Sequence, residues 1–217
     1  AEGVLYDVDM RLRPSGQKGP VATRLASFIE YQENDAWTWE HMALTRGRVV
    51  TGPLHLRNTL DTAIHKVLTR PRDRSRITAD VRDMRARIEK EKGTQDIWDL
   101  KQVRGGLVDL EFIAQFLQLV TANAHPEVLE TNTARALRKL EAAGALRREH
   151  AEILLPATEL VHDITQLLRL CFEGPFDPNK APEGLKQLLA RAGHVPDFAR
   201  LADRLRETLH DVKALFD

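Results

Sequence analysis

The chain has 217 residues, and its 32 Lys+Arg balance 32 Asp+Glu, so the formal net charge is zero. That length holds one large domain or one domain plus a remnant, and the zero charge excludes the net basic field of a general nucleic-acid binder. The 42% hydrophobic content excludes bulk disorder, and the single cysteine, Cys171, excludes a disulfide scaffold or a Cys-based zinc cluster.

Val4, Tyr6, Val8, Met10 and Leu12 alternate with Leu5, Asp7, Asp9, Arg11 and Arg13. Period two predicts a half-buried β-strand, ended by Pro14-Ser15-Gly16. One strand cannot satisfy its own backbone groups, so residues 1–22 are expected to be the tail of a sheet built elsewhere. From residue 23 to 217 the pattern is helical almost throughout.

Punctuation divides that region into helices over 25–34, 36–50, 54–69, 79–92, 107–123, 133–143, 147–173, 182–192 and 197–216. Asp35, Thr78 and Thr131 or Asn132 are the expected caps, and Gly93, Gly144 and Gly193 the expected stops. Pro156 predicts a kink or break in the seventh helix. A connector is expected over 96–104, and a possible sub-boundary lies near 94–106. The expected fold is therefore mainly α, a multi-helix bundle preceded by a short β remnant. No apolar run approaches the roughly 18 residues that span a membrane, and no charged-then-apolar leader opens the chain. The expected compartment is the cytosol.

Three clusters could carry chemistry. Asp7 and Asp9 project from one strand face, with Arg11 on the same face and Arg13 beyond it. Hard carboxylate oxygens suit Mg²⁺, and guanidinium groups fork onto phosphate. The same alternation also fits a solvent-facing strand with ladder ion pairs. The second cluster is Lys101, Arg104, Gly105 and Gly106 ahead of Leu107. Paired glycines at a helix start can admit a phosphate to free amides, or can serve only tight helix packing. The third is Trp37, Trp39, Glu40 and His41, expected as core. Cys171 is expected to be a buried small hydrophobe. The basic stretch 66–76 fits a solvated connector better than a binding patch.

The segment Leu5-Tyr6-Asp7-Val8-Asp9-Met10-Arg11-Leu12-Arg13-Pro14-Ser15-Gly16 resembles the "VDxRLRPSG" signature of bifunctional glutamine synthetase adenylyltransferase/adenylyl-removing enzymes. Phe28 to Gln32, Ala36 to Leu44, and Asp99 to Phe112 continue the resemblance in the right order. It covers essentially the whole chain, in the form of the second, AMP-transferring unit.

The resemblance implies a nucleotidyltransferase that uses ATP and Mg²⁺, with glutamine synthetase and the PII signal protein as partners. It implies Asp9 as a catalytic metal carboxylate, Asp7 as a weaker metal candidate, and Arg11 and Arg13 as nucleotide-binding motif arginines. It favours the phosphate-binding alternative for Lys101, Gly105 and Gly106. A Gly-Ser-x-x-Asp-x-Asp motif, which supplies two further carboxylates in such enzymes, does not occur in this sequence. The chain alone is therefore expected to be inactive. The alternative expectation is a non-catalytic helical module that docks glutamine synthetase or PII.

Overall fold

The computed structural model describes residue 10 and residues 13–172 and 174–217. Of the expected strand only Met10 and Arg13 fall among these residues, neither in a strand and Met10 exposed, while Asp7, Asp9 and Arg11 lie outside them. Among the described residues there are nine α-helices: α1 (Leu25–Asn34), α2 (Thr38–Leu44), α3 (Leu54–Leu68), α4 (Arg74–Lys92), α5 (Leu107–Thr121), α6 (Thr133–Ala142), α7 (Arg148–Cys171), α8 (Glu183–Ala192) and α9 (Phe198–Phe216). Short 3₁₀ turns occupy Gly16–Lys18 and Pro126–Val128.

Helix α5 is the hub, touching α2, α4, α6, α7 and α9. Its sequence explains this. Leu110, Ala114, Leu117 and Leu119 are buried together with Asp109, Gln115 and Gln118, so α5 is covered on more than one face. The larger core joins α5 to α6, α7, α8 and α9 through Leu137, Leu140, Val161, Ile164, Leu201 and Leu205. Trp98 closes it from the connector, stacked on Phe198 at 4.8 Å and edge-on to Phe176 at 5.2 Å. A smaller core joins Met42, Leu68, Ile77, Val81 and Leu119. Phe116 packs against both.

Most helix ends fall within two residues of expectation, and the exceptions have local causes. Helix α4 starts at Arg74, earlier than Thr78 suggests, because the Asp73 side chain accepts from the Ser75 and Arg76 amides. Thr78 instead sits inside the helix and donates to the Arg74 carbonyl at 2.8 Å. Helix α2 spans only seven residues. The Glu40 side chain accepts from the Trp37 amide and fixes the start at Thr38, and the helix stops at Leu44. Asn132 caps α6 by accepting from Arg135, and Asp197 caps α9 by accepting from Arg200. Helix α7 runs through Pro156 without a break. Buried Ala151, Leu154, Ala157, Leu160 and Val161 hold both sides of the proline in the core.

Two core expectations are overturned. Trp37 precedes the first turn of α2 and is 67% exposed, so its ring does not share the inward face of His41. Trp39, two residues later, is half-buried. Cys171 is the last residue of α7 and is exposed: it shares a face with Leu160 and Ile164, but the buried residues of that helix end at Thr165, before Cys171 is reached.

Candidate active-site remnant and its helical seat

Arg13 enters the loop that carries the Pro-Ser-Gly turn. Its Nε donates to the Gly19 carbonyl at 3.2 Å, and a terminal nitrogen donates to the Gln17 carbonyl at 3.3 Å. A second terminal nitrogen donates to the Met10 carbonyl. The guanidinium thus folds residues 13–19 into a closed loop around itself. Ser15 and Gly16 take positive φ, 61° and 54°, so the turn uses the left-handed region. Ser15 bears the left-handed cost of a residue with a Cβ, and Gly16 avoids it.

This loop rests on α1, α2 and α4. Ser15 and Gly16 line a cavity of about 500 Å³ with Tyr31, Trp37, Glu40 and Asp80. Tyr31 donates to Glu40 Oε1 at 2.8 Å, while Glu40 Oε2 takes the Trp37 amide at 2.8 Å. Burial, and then the bond to Glu40, pushes the Tyr31 phenol pKa up. Arg13 and Pro14 line a neighbouring cavity of about 580 Å³ that reaches Glu111 and Phe112 on α5. The Pro-Ser-Gly motif, the Trp-Thr-Trp-Glu motif and the start of α5 therefore meet in space, although the sequence separates them by about ninety residues. Lys101, Gly105 and Gly106 are not among the residues lining either cavity.

The double glycine is committed elsewhere. Gly105 has φ +78°, and a Cβ there would stand 1.8 Å from the Leu209 carbonyl oxygen of α9. A Cβ on Gly106 would stand 2.4 Å from the Leu100 oxygen. The Gly105 amide donates to Asp109 Oδ2, and the Gly106 amide donates to Val103 O at 3.0 Å. Both amides that would meet a phosphate are thus already engaged. Lys101 is exposed on the same turn.

Asp109 is the centre of a buried ionic knot. It is fully buried and pairs with Arg85, itself 1% exposed, and with Arg104 Nε at 3.2 Å. Arg85 also donates to the Gln102 carbonyl at 3.2 Å. Arg104 continues to Glu89 at 3.1 Å and to Asp217. Helices α4, α5 and α9 and the turn 99–106 are thereby tied at one point. Sequence reasoning missed this knot. Its signal was present: Ile77, Val81 and Arg85 recur at i, i+4 and i+8 on the buried stripe of α4.

The basic stretch 66–76 is also more ordered than a solvated connector. His41 is 1% exposed, and its Nε2 donates to the Gln32 carbonyl at 3.0 Å. Its Nδ1 then accepts from Arg70 at 3.3 Å and Arg72 at 3.2 Å. Burial first, then the neighbouring Arg72 and Arg70 charges, push the His41 pKa down to about 4, so the ring is neutral at pH 7. Arg70 also donates to the Glu33 carbonyl and Arg72 to the Val67 carbonyl. The cluster therefore caps the carboxyl-terminal ends of α1 and α3 at once.

Among the described residues, no group of three His, Cys, Asp or Glu side chains is placed to hold a metal ion. No helix among them is long and apolar enough to cross a membrane.

Comparison with known proteins follows the same geography. A family model described as glutamate-ammonia ligase adenylyltransferase matches residues 1–63. A second, described as GlnD PII-uridylyltransferase, matches residues 81–217, the helical part. The chain is 52% identical over 215 residues to the bifunctional glutamine synthetase adenylyltransferase/adenylyl-removing enzyme of Rhodopseudomonas palustris strain TIE-1. It is 52% identical over 214 residues to the one of Bradyrhizobium sp. strain BTAi1, and 48% identical over 215 residues to the one of Xanthobacter autotrophicus. Each match covers 99% of this chain and 22% of the relative, so the chain spans about a fifth of the length of these proteins. The helical match alone leaves two kinds of nucleotidyltransferase open, and identity along the whole length decides between them: the chain belongs to the family of bifunctional glutamine synthetase adenylyltransferase/adenylyl-removing enzymes.

Proposed function

We propose that this chain is part of an enzyme that moves AMP from ATP to a tyrosine of glutamine synthetase, in the second unit of the intact protein. The carrying observation is identity of about half the residues, along 99% of the chain, to enzymes bearing that name. The tyrosine oxygen attacks the α-phosphorus, a new P–O bond forms, the bond to the β-phosphate oxygen breaks, and pyrophosphate leaves. The tyrosine proton passes to a base or to solvent. The partner unit would reverse the modification by phosphorolysis. PII would act as a signalling partner, and the compartment would be the cytoplasm.

In this proposal residues 1–22 end the catalytic domain and residues 23–217 form its helical companion. Asp9 is the metal carboxylate and the catalytic residue, with Asp7 a weaker metal candidate. Carboxylate oxygen is the donor that Mg²⁺ prefers. When bound, Mg²⁺ would neutralise charge on the ATP phosphates. Arg11 would face the nucleotide. Arg13 would hold the loop that follows it, which its three carbonyl contacts support. As the family resemblance implies, exposed Lys101 would contact the nucleotide, whereas the engaged amides of Gly105 and Gly106 support a packing role.

Asp9→Asn in the full-length protein is expected to lower AMP transfer by about two orders of magnitude with an unchanged melting profile, and Asp7→Asn to cost much less. Near-normal turnover by Asp9→Asn with the same Mg²⁺ dependence would contradict the assignment. A second reading, a helical docking module for glutamine synthetase or PII, draws on exposed apolar residues: Trp37 (67%) at the start of α2, and Val50 (80%) and Leu54 (71%) at the entry to α3. Capture of purified glutamine synthetase or PII by the chain without AMP transfer would favour it.

A further inference from the structure

The geometry points to a small-molecule site independent of the proposed transferase chemistry. A cavity of about 460 Å³ opens where α4, α5, α9 and the start of α7 meet. It follows the seam between the two cores. Its floor is formed by Phe112, Ile113 and Phe116 of α5 and Phe216 of α9, all only half-buried. It shares Phe112 alone with the cavity lined by Arg13.

The charged lining is of one sign. Arg74, Arg82 and Arg147 line the cavity with His150, and no carboxylate side chain is among the lining residues. That is unexpected in a chain with equal numbers of acids and bases. Arg74 lies over the Phe116 ring, 5.3 Å from its centroid. Arg147 donates to His150 Nε2 at 2.6 Å. Arg82 donates to the main-chain oxygen of Asp217. Several other surface arginines do pair with acids: Arg87 with Asp83 on α4, Arg138 of α6 with Glu159 of α7, Arg148 with Glu152 on α7 and Arg206 with Asp203 on α9.

A half-exposed aromatic floor under a rim of arginines matches one ligand chemistry. The cavity takes a small amphipathic organic anion, with an apolar, preferably aromatic, body against α5 and an oxyanion within reach of Arg74 and Arg147. The volume lies in the range of small-molecule sites. Guanidinium groups fork onto carboxylate, sulfonate or phosphate oxygens. Arg74 and Arg147 are exposed, so their removal leaves the cores intact.

The test titrates the chain with 8-anilinonaphthalene-1-sulfonate and, separately, with neutral N-phenyl-1-naphthylamine, followed by fluorescence. Saturable binding of the sulfonate at one site per chain is expected. Arg74→Ala combined with Arg147→Ala should weaken it by about tenfold or more. The same pair should leave the neutral probe unchanged, and Arg148→Ala should change neither. Ile113→Trp, which fills the floor, should remove both. Circular dichroism of each variant checks the helical content. Sulfonate binding that never saturates, or that is equal in the wild type and the double arginine variant, would overturn the site, and the arginine variants decide this even if Ile113→Trp does not fold. None of these results depends on AMP transfer, so failure of the site and failure of the transferase proposal are told apart.

Discussion

Asp109→Ala should destabilise the chain by about 3–5 kcal/mol, the cost of leaving a buried charge without its partner. The carboxylate meets Arg85, Arg104 and the Gly105 amide, and both Asp109 and Arg85 lie at 1% exposure or less. Removing it strands the Arg85 guanidinium in the core and orphans a backbone donor. Urea unfolding followed by circular dichroism measures the loss. Arg85→Met combined with Asp109→Leu should recover a substantial part of it, because no unpaired charge is then left inside. The Gly105 amide stays unsatisfied in that variant, so recovery should be incomplete. Equal loss in the single and double variants would show that the knot's charge pairing is not what matters.

Gly105→Ala should cost roughly 3–4 kcal/mol, combining a left-handed backbone penalty with forced displacement of α9. The methyl group would overlap the Leu209 carbonyl oxygen at 1.8 Å, and that oxygen belongs to helix backbone, which cannot rotate away. Gly144→Ala is the internal control. Its φ of +70° is similar to the +78° of Gly105, but nothing lies within 4 Å of a Cβ there. It should cost only the conformational part, about 1–2 kcal/mol. The difference between the two midpoints isolates the close approach of α9 to the turn. Equal costs would remove the packing role assigned to Gly105.

Local signals made most of the fold legible. Helix α1, for which the sequence predicts residues 25–34, spans Leu25–Asn34, and α5 begins where Leu107 follows the glycines. Capping side chains close to a helix in sequence were readable, as Asn132 shows. Tertiary partners were not. Asp109 reads as an acid in a first helical turn, where the helix dipole alone accounts for it. Only the fold reveals Arg85, 24 residues earlier, as its partner. The same limit applies to His41, whose neutrality depends on Arg70 and Arg72 arriving from the end of α3. Trp37 erred for a different reason. Helical periodicity assigns a face only inside the helix, and Trp37 stands at the N-cap with an extended backbone. At the site, Ser15 and Gly16 stand far from Trp39 and Glu40 in sequence, and their meeting on one cavity follows from how the Arg13 loop lies against α1, α2 and α4.

The most direct test of the account is AMP transfer by the 217-residue chain itself. Purified chain is incubated with labelled ATP, Mg²⁺ and glutamine synthetase, and label on the glutamine synthetase tyrosine is counted beside the full-length protein. The sequence carries Asp9 but no Gly-Ser-x-x-Asp-x-Asp motif, so the metal carboxylates would be incomplete. Label is expected from the full-length protein and none above background from the chain. AMP-tyrosine formed by the chain alone would contradict it.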